Sequence, residues 1–195
     1  TGGMGAYSPS RLINDELEKK IINKIIRPTL NGLLELKTKY KGFLYTGLMI
    51  VKNEPYLIEY NVRMGDPETE VVFPRIKSDF LELIMALDSG NLNSFDLQID
   101  NEPAVTIVLV SGGYPEKYEI NKQIFGLENI SKTDSYVFHA GAKIENEVLK
   151  TSGGRVLAIT SKAKSIDLAL KKSYHSIKQV KFNKMYYRKD IGFDL

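Results

Sequence analysis

Apolar residues recur near the start of the chain at a helical interval. Leu17, Ile21, Ile22, Ile25 and Ile26 alternate with Glu16, Glu18, Lys19, Lys20 and Lys24, so one helix face is buried and the other wet. Pro28 breaks or kinks this helix. Leu30, Leu33, Leu34 and Leu36 mark a second helical stretch that ends near Gly42. The period then changes. Residues 43–51 form an apolar strand, Asn53 and Glu54 turn the chain, and residues 56–63 return, which predicts an antiparallel hairpin. A helix follows from Pro67. Another spans residues 79–89, with Phe80, Leu83, Ile84 and Leu87 on one face and Gly90 at its end.

Near residue 100 the pattern shifts again. Residues 103–110 are almost continuously apolar, as in a strand covered on both faces. Ser111–Pro115 is a turn. Residues 136–142 and 155–160 are further strands, and residues 165–179 form a helix with Ile166, Leu168, Ala169, Leu170, Tyr174 and Ile177 as its apolar positions. The pattern predicts two domains, residues 1–100 and 101–195, in the α+β class. No internal repeat and no low-complexity segment is present.

Composition narrows the possibilities. With 195 residues, 43% of them hydrophobic and 26% charged, the chain is long and apolar enough for a real core. The absence of cysteine excludes disulfides, thiolate catalysis and Cys-based zinc sites. His139 and His175 are the only histidines, which argues against a His-rich metal site. His139, set in an apolar strand, is expected to be a core residue. The net charge of +3 is too mild to indicate nucleic acid. Lysines such as Lys162, Lys164, Lys171, Lys172, Lys178 and Lys181 crowd the C-terminal end, where a solvated helix face and tail account for them. The competing view, a nucleic-acid module built on this region, predicts strongly salt-dependent binding. No apolar stretch approaches bilayer length and no signal peptide is visible. A cytoplasmic protein without a membrane partner is therefore expected. Because Thr1 is followed at once by a glycine-rich loop, the chain is read as a piece whose N-terminal part is missing.

The densest chemistry lies in Glu59-Tyr60-Asn61-Val62-Arg63-Met64-Gly65-Asp66-Pro67-Glu68. Strand alternation points Glu59, Asn61 and Arg63 one way, and Ile58, Tyr60 and Val62 the other. Burying a carboxylate, an amide and a guanidinium in one row is costly unless each is paired. A hard cation on Glu59 and Asn61, and a phosphate or carboxylate on Arg63, would supply the partners. The plainer alternative is a solvated strand end. Asp66 is either a helix N-cap, with Pro67 at the first helical position, or a contact for a substrate amine. Glu68 and Glu70 then fall in the first turn, where the helix dipole favours negative charge. The loop Thr1-Gly2-Gly3-Met4-Gly5 is either an anion-binding nest of backbone N–H groups or a tight turn at a helix entrance.

Taken together and in order, the strings TGGMGAYSP (1–9), YTGLM (45–49), EYNVRMGDPE (59–68), SGGYP (111–115), FHAG (138–141), TSGGRVL (151–157) and YRKDIG (187–192) resemble the phosphoribosylamine–glycine ligase family, ATP-grasp enzymes of purine biosynthesis. The resemblance implies that residues 1–100 are the second half of an ATP-grasp domain, an antiparallel sheet with helices. The remainder is then a small mixed α/β C-terminal domain. It implies ATP-dependent joining of glycine to 5-phosphoribosylamine through glycyl phosphate, with Mg²⁺ or Mn²⁺. Under this resemblance Glu59 and Asn61 ligate the metal, and Arg63 contacts nucleotide or substrate oxygens. Arg63 and Asp66 take the catalytic roles, and Thr1, Gly2, Gly3 and Gly5 contact substrate. The upstream half of the same polypeptide is the implied partner, without which this chain alone is inactive. Many ATP-grasp enzymes carry a second acidic metal ligand on the preceding strand. Residues 44–50 hold no carboxylate, so a single metal site is expected. A different ATP-grasp carboxylate–amine ligase is the nearest alternative.

Overall fold

A computed structural model describes residues 3–131 and 134–193. Among these residues the strands are β1 (Gly5–Ser8), β2 (Tyr45–Val51), β3 (Glu54–Asn61), β4 (Ala104–Val110), β5 (Tyr136–His139), β6 (Ala142–Glu145), β7 (Val148–Thr151) and β8 (Arg155–Lys162). The α-helices are α1 (Asp15–Ile21), α2 (Arg27–Glu35), α3 (Thr69–Val72), α4 (Phe80–Ser89) and α5 (Ile166–Ile177). All strand pairs are antiparallel, so the α+β class holds. The chain divides into two units, each discontinuous in sequence. One combines the segment ending at Pro9, Asp66–Lys77 and the chain from Gln98 onward; the other combines Ser10–Gly65 and Ser78–Leu97.

In the first unit the sheet order is β1-β4-β8-β5. All seven residues of β4 are buried, as its unbroken apolar run requires. One core joins Val105, Ile107, Leu109, Leu157 and Ile159 to Ile166, Ala169 and Ile177, so α5 covers one sheet face. Met4, Val108, Val110 and Ala158 form a second, smaller cluster, and α3 packs against β1, β4 and β8. The core also holds hydroxyls. Thr160 Oγ1 donates to Thr106 Oγ1 at 2.7 Å. Ser135 Oγ lies 2.7 Å from both Ser161 Oγ and Ser176 Oγ, while Ser173 Oγ donates to Ser161 Oγ and to the Val105 carbonyl. Such groups are tolerated inside because each finds a partner.

The second unit carries the β2–β3 hairpin and three helices. Pro28 does not divide the first helical run. A π-helical stretch, Ile22–Ile26, joins α1 to α2, and the Arg27 N–H donates to the Ile22 carbonyl. This wider turn lets the helix pass a residue that has no N–H to give. Asn14 caps α1 and Asp79 caps α4, where Gly90 adopts the left-handed conformation that closes it.

Several expectations are corrected. The glycine-rich opening is not wholly a loop: Gly5 lies in β1, paired with Ile107. Its missing side chain makes room for Ile191, whose Cδ1 would meet an added Cβ at 2.7 Å. The strand expected over 136–142 splits, and β6 instead forms a hairpin with β7 through Asn146 and Glu147, both at positive φ. His139 is exposed, because β5 is the edge of its sheet. No helix of the described residues is long and apolar enough to cross a membrane.

Candidate functional site

The hairpin of the second unit holds three of the expected site residues. Lys52 and Asn53 turn it with φ of 51° and 61°, the left-handed geometry that suits a two-residue hairpin loop. Its start is tied to α1 and the π-helical stretch: Lys20 Nζ lies 2.9 Å from Glu54 Oε1, and Lys24 also pairs with Glu54. Its far end is tied by a hydrogen bond between the Thr29 and Tyr60 hydroxyls. Gly47 stands opposite Glu59 and Leu48 opposite Leu57, so Ile58 is an extra residue and the register slips there. Such a bulge re-aims the side chains that follow it. A Cβ placed on Gly47 would come within 3.0 Å of Glu59 Cγ. The glycine is the space in which the Glu59 stem lies.

Glu59 and Asn61 are brought together, with Asn61 Nδ2 donating to Glu59 Oε1 at 3.3 Å. Arg63 is not in their row. The strand ends at Asn61, and Arg63 Nη1 turns to donate to the Met64 carbonyl at 2.8 Å. The opposite face is open: Ile58 and Val62 are 62% and 74% exposed. A carboxylate beside an amide oxygen matches what a hard divalent cation takes. Among the described residues no group of three or more His, Cys, Asp or Glu side chains could hold a metal. Any ion at Glu59 and Asn61 would complete its shell with water or ligand oxygens.

In the first unit Asp66 is not a helix cap. Residues 66–68 form a turn, α3 begins at Thr69, and the N-cap position is Glu68, whose side chain makes no capping bond. Asp66 is held instead by Arg155, at the start of β8. Nη1 donates to Oδ1 at 2.8 Å and Nη2 to Oδ2 at 2.9 Å, while Nη1 also donates to the Asp66 carbonyl at 3.1 Å. Two parallel charge-assisted bonds fix both groups more firmly than one would. Gly3 lies against the same guanidinium, so that an added Cβ would stand 3.0 Å from Nη1. Asp66 and Gly3 thus meet at one arginine. Thr1 and Gly2, the remaining members of the expected anion nest, lie outside the described residues.

Glu70 is not a solvated first-turn acid. Its Oε2 is buried with no hydrogen-bond partner among the described residues. Burial pushes its carboxyl above the ordinary carboxylate range; the Asp66 charge adds to this and Arg155 opposes it. Below this cluster, Arg75 braces the unit by donating to Ser8 Oγ and to the Asp100 carbonyl. Asp100 in turn pairs with Lys162 at 2.7 Å. Sequence reasoning missed Arg155, Gly47 and Glu70. Arg155 and Gly47 do fall inside strings that the resemblance rests on, but a pairing across 89 positions leaves no local pattern.

Comparison with known proteins gives a consistent result. The family model for the phosphoribosylglycinamide synthetase ATP-grasp (A) domain matches residues 1–69, and that for the phosphoribosylglycinamide synthetase C domain matches residues 104–194. The chain is 45% identical over 192 residues to a phosphoribosylamine–glycine ligase of Clostridium acetobutylicum, covering 98% of this chain and 45% of that protein. It is 42% identical over 194 residues to the ligase of the same name from Fusobacterium nucleatum, covering 98% and 46%. Among solved structures it resembles the phosphoribosylamine–glycine ligase of Thermotoga maritima with a TM-score of 0.82 and 33% identity, over 97% of this chain and 46% of that one. The chain therefore spans about half the length of the relatives it matches.

Proposed function

The chain belongs to the phosphoribosylglycinamide synthetase family, and we propose that it supplies the second half of an ATP-grasp domain and the C-terminal domain of a ligase that joins glycine to 5-phosphoribosylamine. In this reading a glycine carboxylate oxygen attacks the γ-phosphorus of ATP and ADP leaves. The amine of phosphoribosylamine then attacks the acyl carbon of glycyl phosphate, phosphate leaves, and glycinamide ribonucleotide results. The observation that carries the reading is the pairing of Glu59 with Asn61 in a chain matched by family relatives along 98% of its length.

Glu59 and Asn61 would hold Mg²⁺ or Mn²⁺, with Asn61 offering its amide oxygen. When bound, the ion neutralises phosphate charge that would repel an incoming carboxylate. Arg63, exposed beyond the strand end, supplies a permanent positive charge to phosphoryl or substrate oxygens. Asp66, fixed by Arg155, keeps lone pairs with which to accept from a substrate amine. The backbone of Thr1, Gly2 and Gly3 contacts a substrate anion, whereas Gly5 is accounted for by sheet pairing and the approach of Ile191. The exposed apolar face with Ile58 and Val62 is covered by the upstream half of the same polypeptide, in line with relatives about twice as long. Residues 1–100 and 101–195 remain the proposed division into ATP-grasp and C-terminal domains, in a cytoplasmic protein.

The test is ADP release by the full-length protein, with glycine and freshly generated phosphoribosylamine supplied singly and together. Release that needs both supports the ligase. Release with another acid or amine, but not this pair, replaces the substrates and keeps the ATP-grasp reading.

A further inference from the structure

Arg155 has two edges on which a planar oxyanion can be held, and Asp66 uses one of them. The Nη1–Nη2 edge binds the Asp66 carboxylate, and the second Nη1 hydrogen goes to the Asp66 carbonyl. The other edge, formed by Nε–H and the outer hydrogen of Nη2, has no hydrogen-bond partner among the described residues. It presents two parallel donors, the arrangement that a carboxylate or phosphate accepts in bidentate fashion.

The surroundings hold the guanidinium in place. The Arg155 side chain as a whole is 28% exposed. Its backbone is clamped, since the Gly141 N–H donates to the Arg155 carbonyl at 2.8 Å. The preceding residue allows no side chain: a Cβ on Gly154 would lie 2.5 Å from the Tyr114 ring. Gly3 brings main chain rather than a side chain against the guanidinium. An arginine buttressed in this way loses little rotamer entropy when it binds.

We propose that Arg155 is a substrate-binding residue that holds an oxyanion on its free Nε/Nη2 edge, while Asp66 fixes the guanidinium from the opposite edge. The ligand class is a small carboxylate or phosphate monoester. Within the function proposed above, on which only the choice of substrate rests, the two sources are the carboxylate of glycine and the 5-phosphate of phosphoribosylamine. Asp66 acts here as a positioning residue for Arg155. The neutral Arg155–Asp66 pair draws a ligand by the geometry of its donors more than by net charge. A point-charge lysine is therefore no substitute.

The test is a binding titration of the full-length protein, with glycine and ribose 5-phosphate as separate probes followed by isothermal calorimetry. Wild type is compared with Arg155→Lys, Arg155→Met and Asp66→Asn. Arg155→Met is expected to weaken one probe at least tenfold and leave the other unchanged, which names the source. Arg155→Lys should recover less than half of the loss in binding free energy, although it retains the charge. Asp66→Asn should weaken the same probe. Equal binding of both probes by wild type and Arg155→Met overturns the proposal, as does full rescue by Arg155→Lys. ADP release is recorded in parallel. If the protein shows no glycine-dependent release, yet ribose 5-phosphate binding still depends on Arg155, the anion site stands and the reaction assigned above falls. If the variant has lost its circular dichroism spectrum, Arg155→Gln, similar in shape and neutral, takes its place with the same expected loss.

Discussion

Gly47 faces Glu59 across the β2–β3 hairpin, and the volume that a side chain at Gly47 would need is filled by the Glu59 stem. In the metal site proposed at Glu59 and Asn61, the glycine would matter without touching a metal. Gly47→Ala should displace the Glu59 carboxylate and leave the hairpin otherwise paired. Changes at groups that orient a ligand typically cost 10–100-fold in metal affinity. The Mg²⁺ concentration for half-maximal ADP release should therefore rise by at least about tenfold in Gly47→Ala of the full-length protein. An unchanged Mg²⁺ dependence would separate Gly47 from the metal.

Glu59→Gln keeps the shape and removes the charge. Turnover should fall by about a hundredfold or more, the usual order for losing one preorganised charge contact in a transition state. The melting temperature should hold, because Glu59 is exposed and takes no part in a core. Turnover within a few-fold of wild type would remove Glu59 from the metal site.

The Thr106–Thr160 hydroxyl pair offers a test of the buried polar core. Thr160→Val alone leaves the Thr106 hydroxyl buried without its partner and should cost about 1–3 kcal/mol. The double replacement Thr106→Val/Thr160→Val removes both polar groups and should recover most of that loss. Urea unfolding of the single and double variants measures it. A double variant less stable than the single by a further equal step would contradict the pairing.

Asp100 gives the fold an acid-side dependence. The hydrogen bond from Lys162, with another from the Glu102 N–H, holds its carboxyl down to about 2, against an ordinary value of 3.8. A group with a depressed native value binds fewer protons folded than unfolded. Its contribution is present above the ordinary value and is lost as pH falls from there towards about 2. Asp100→Asn should be less stable than wild type at pH 7, and the difference should shrink between pH 4 and pH 2. A gap that stays constant over that interval would show that Asp100 carries no such linkage.

Elements with local signals were legible from the sequence. Asp79 and Gly90 bracket α4, Ser165 caps α5, and the apolar run of β4 announces a covered strand. The Glu59–Asn61 pairing follows from strand alternation, yet Arg63 escapes it because the strand stops two residues earlier. What was not legible depends on partners distant in the chain. The short β1 carries no run of alternating apolar residues and is a strand because β4 supplies its hydrogen bonds. Pro28 signals a break, and the π-helical stretch absorbs it. The hairpin of β6 and β7 turns at Asn146 and Glu147 without a glycine. Asp66 looked like a cap because its local sequence suits one, and Arg155, far away in the chain, takes the carboxylate instead.

The most direct test of the account follows oxygen through the reaction. Glycine labelled with ¹⁸O in both carboxylate oxygens is turned over by the full-length protein with ATP and phosphoribosylamine, and the released phosphate is analysed by mass spectrometry. The expected product is phosphate carrying one ¹⁸O, because the oxygen that attacks ATP departs with phosphorus when the amine displaces it. Unlabelled phosphate would contradict the glycyl phosphate route, and with it the roles given to Glu59, Asn61 and Arg63.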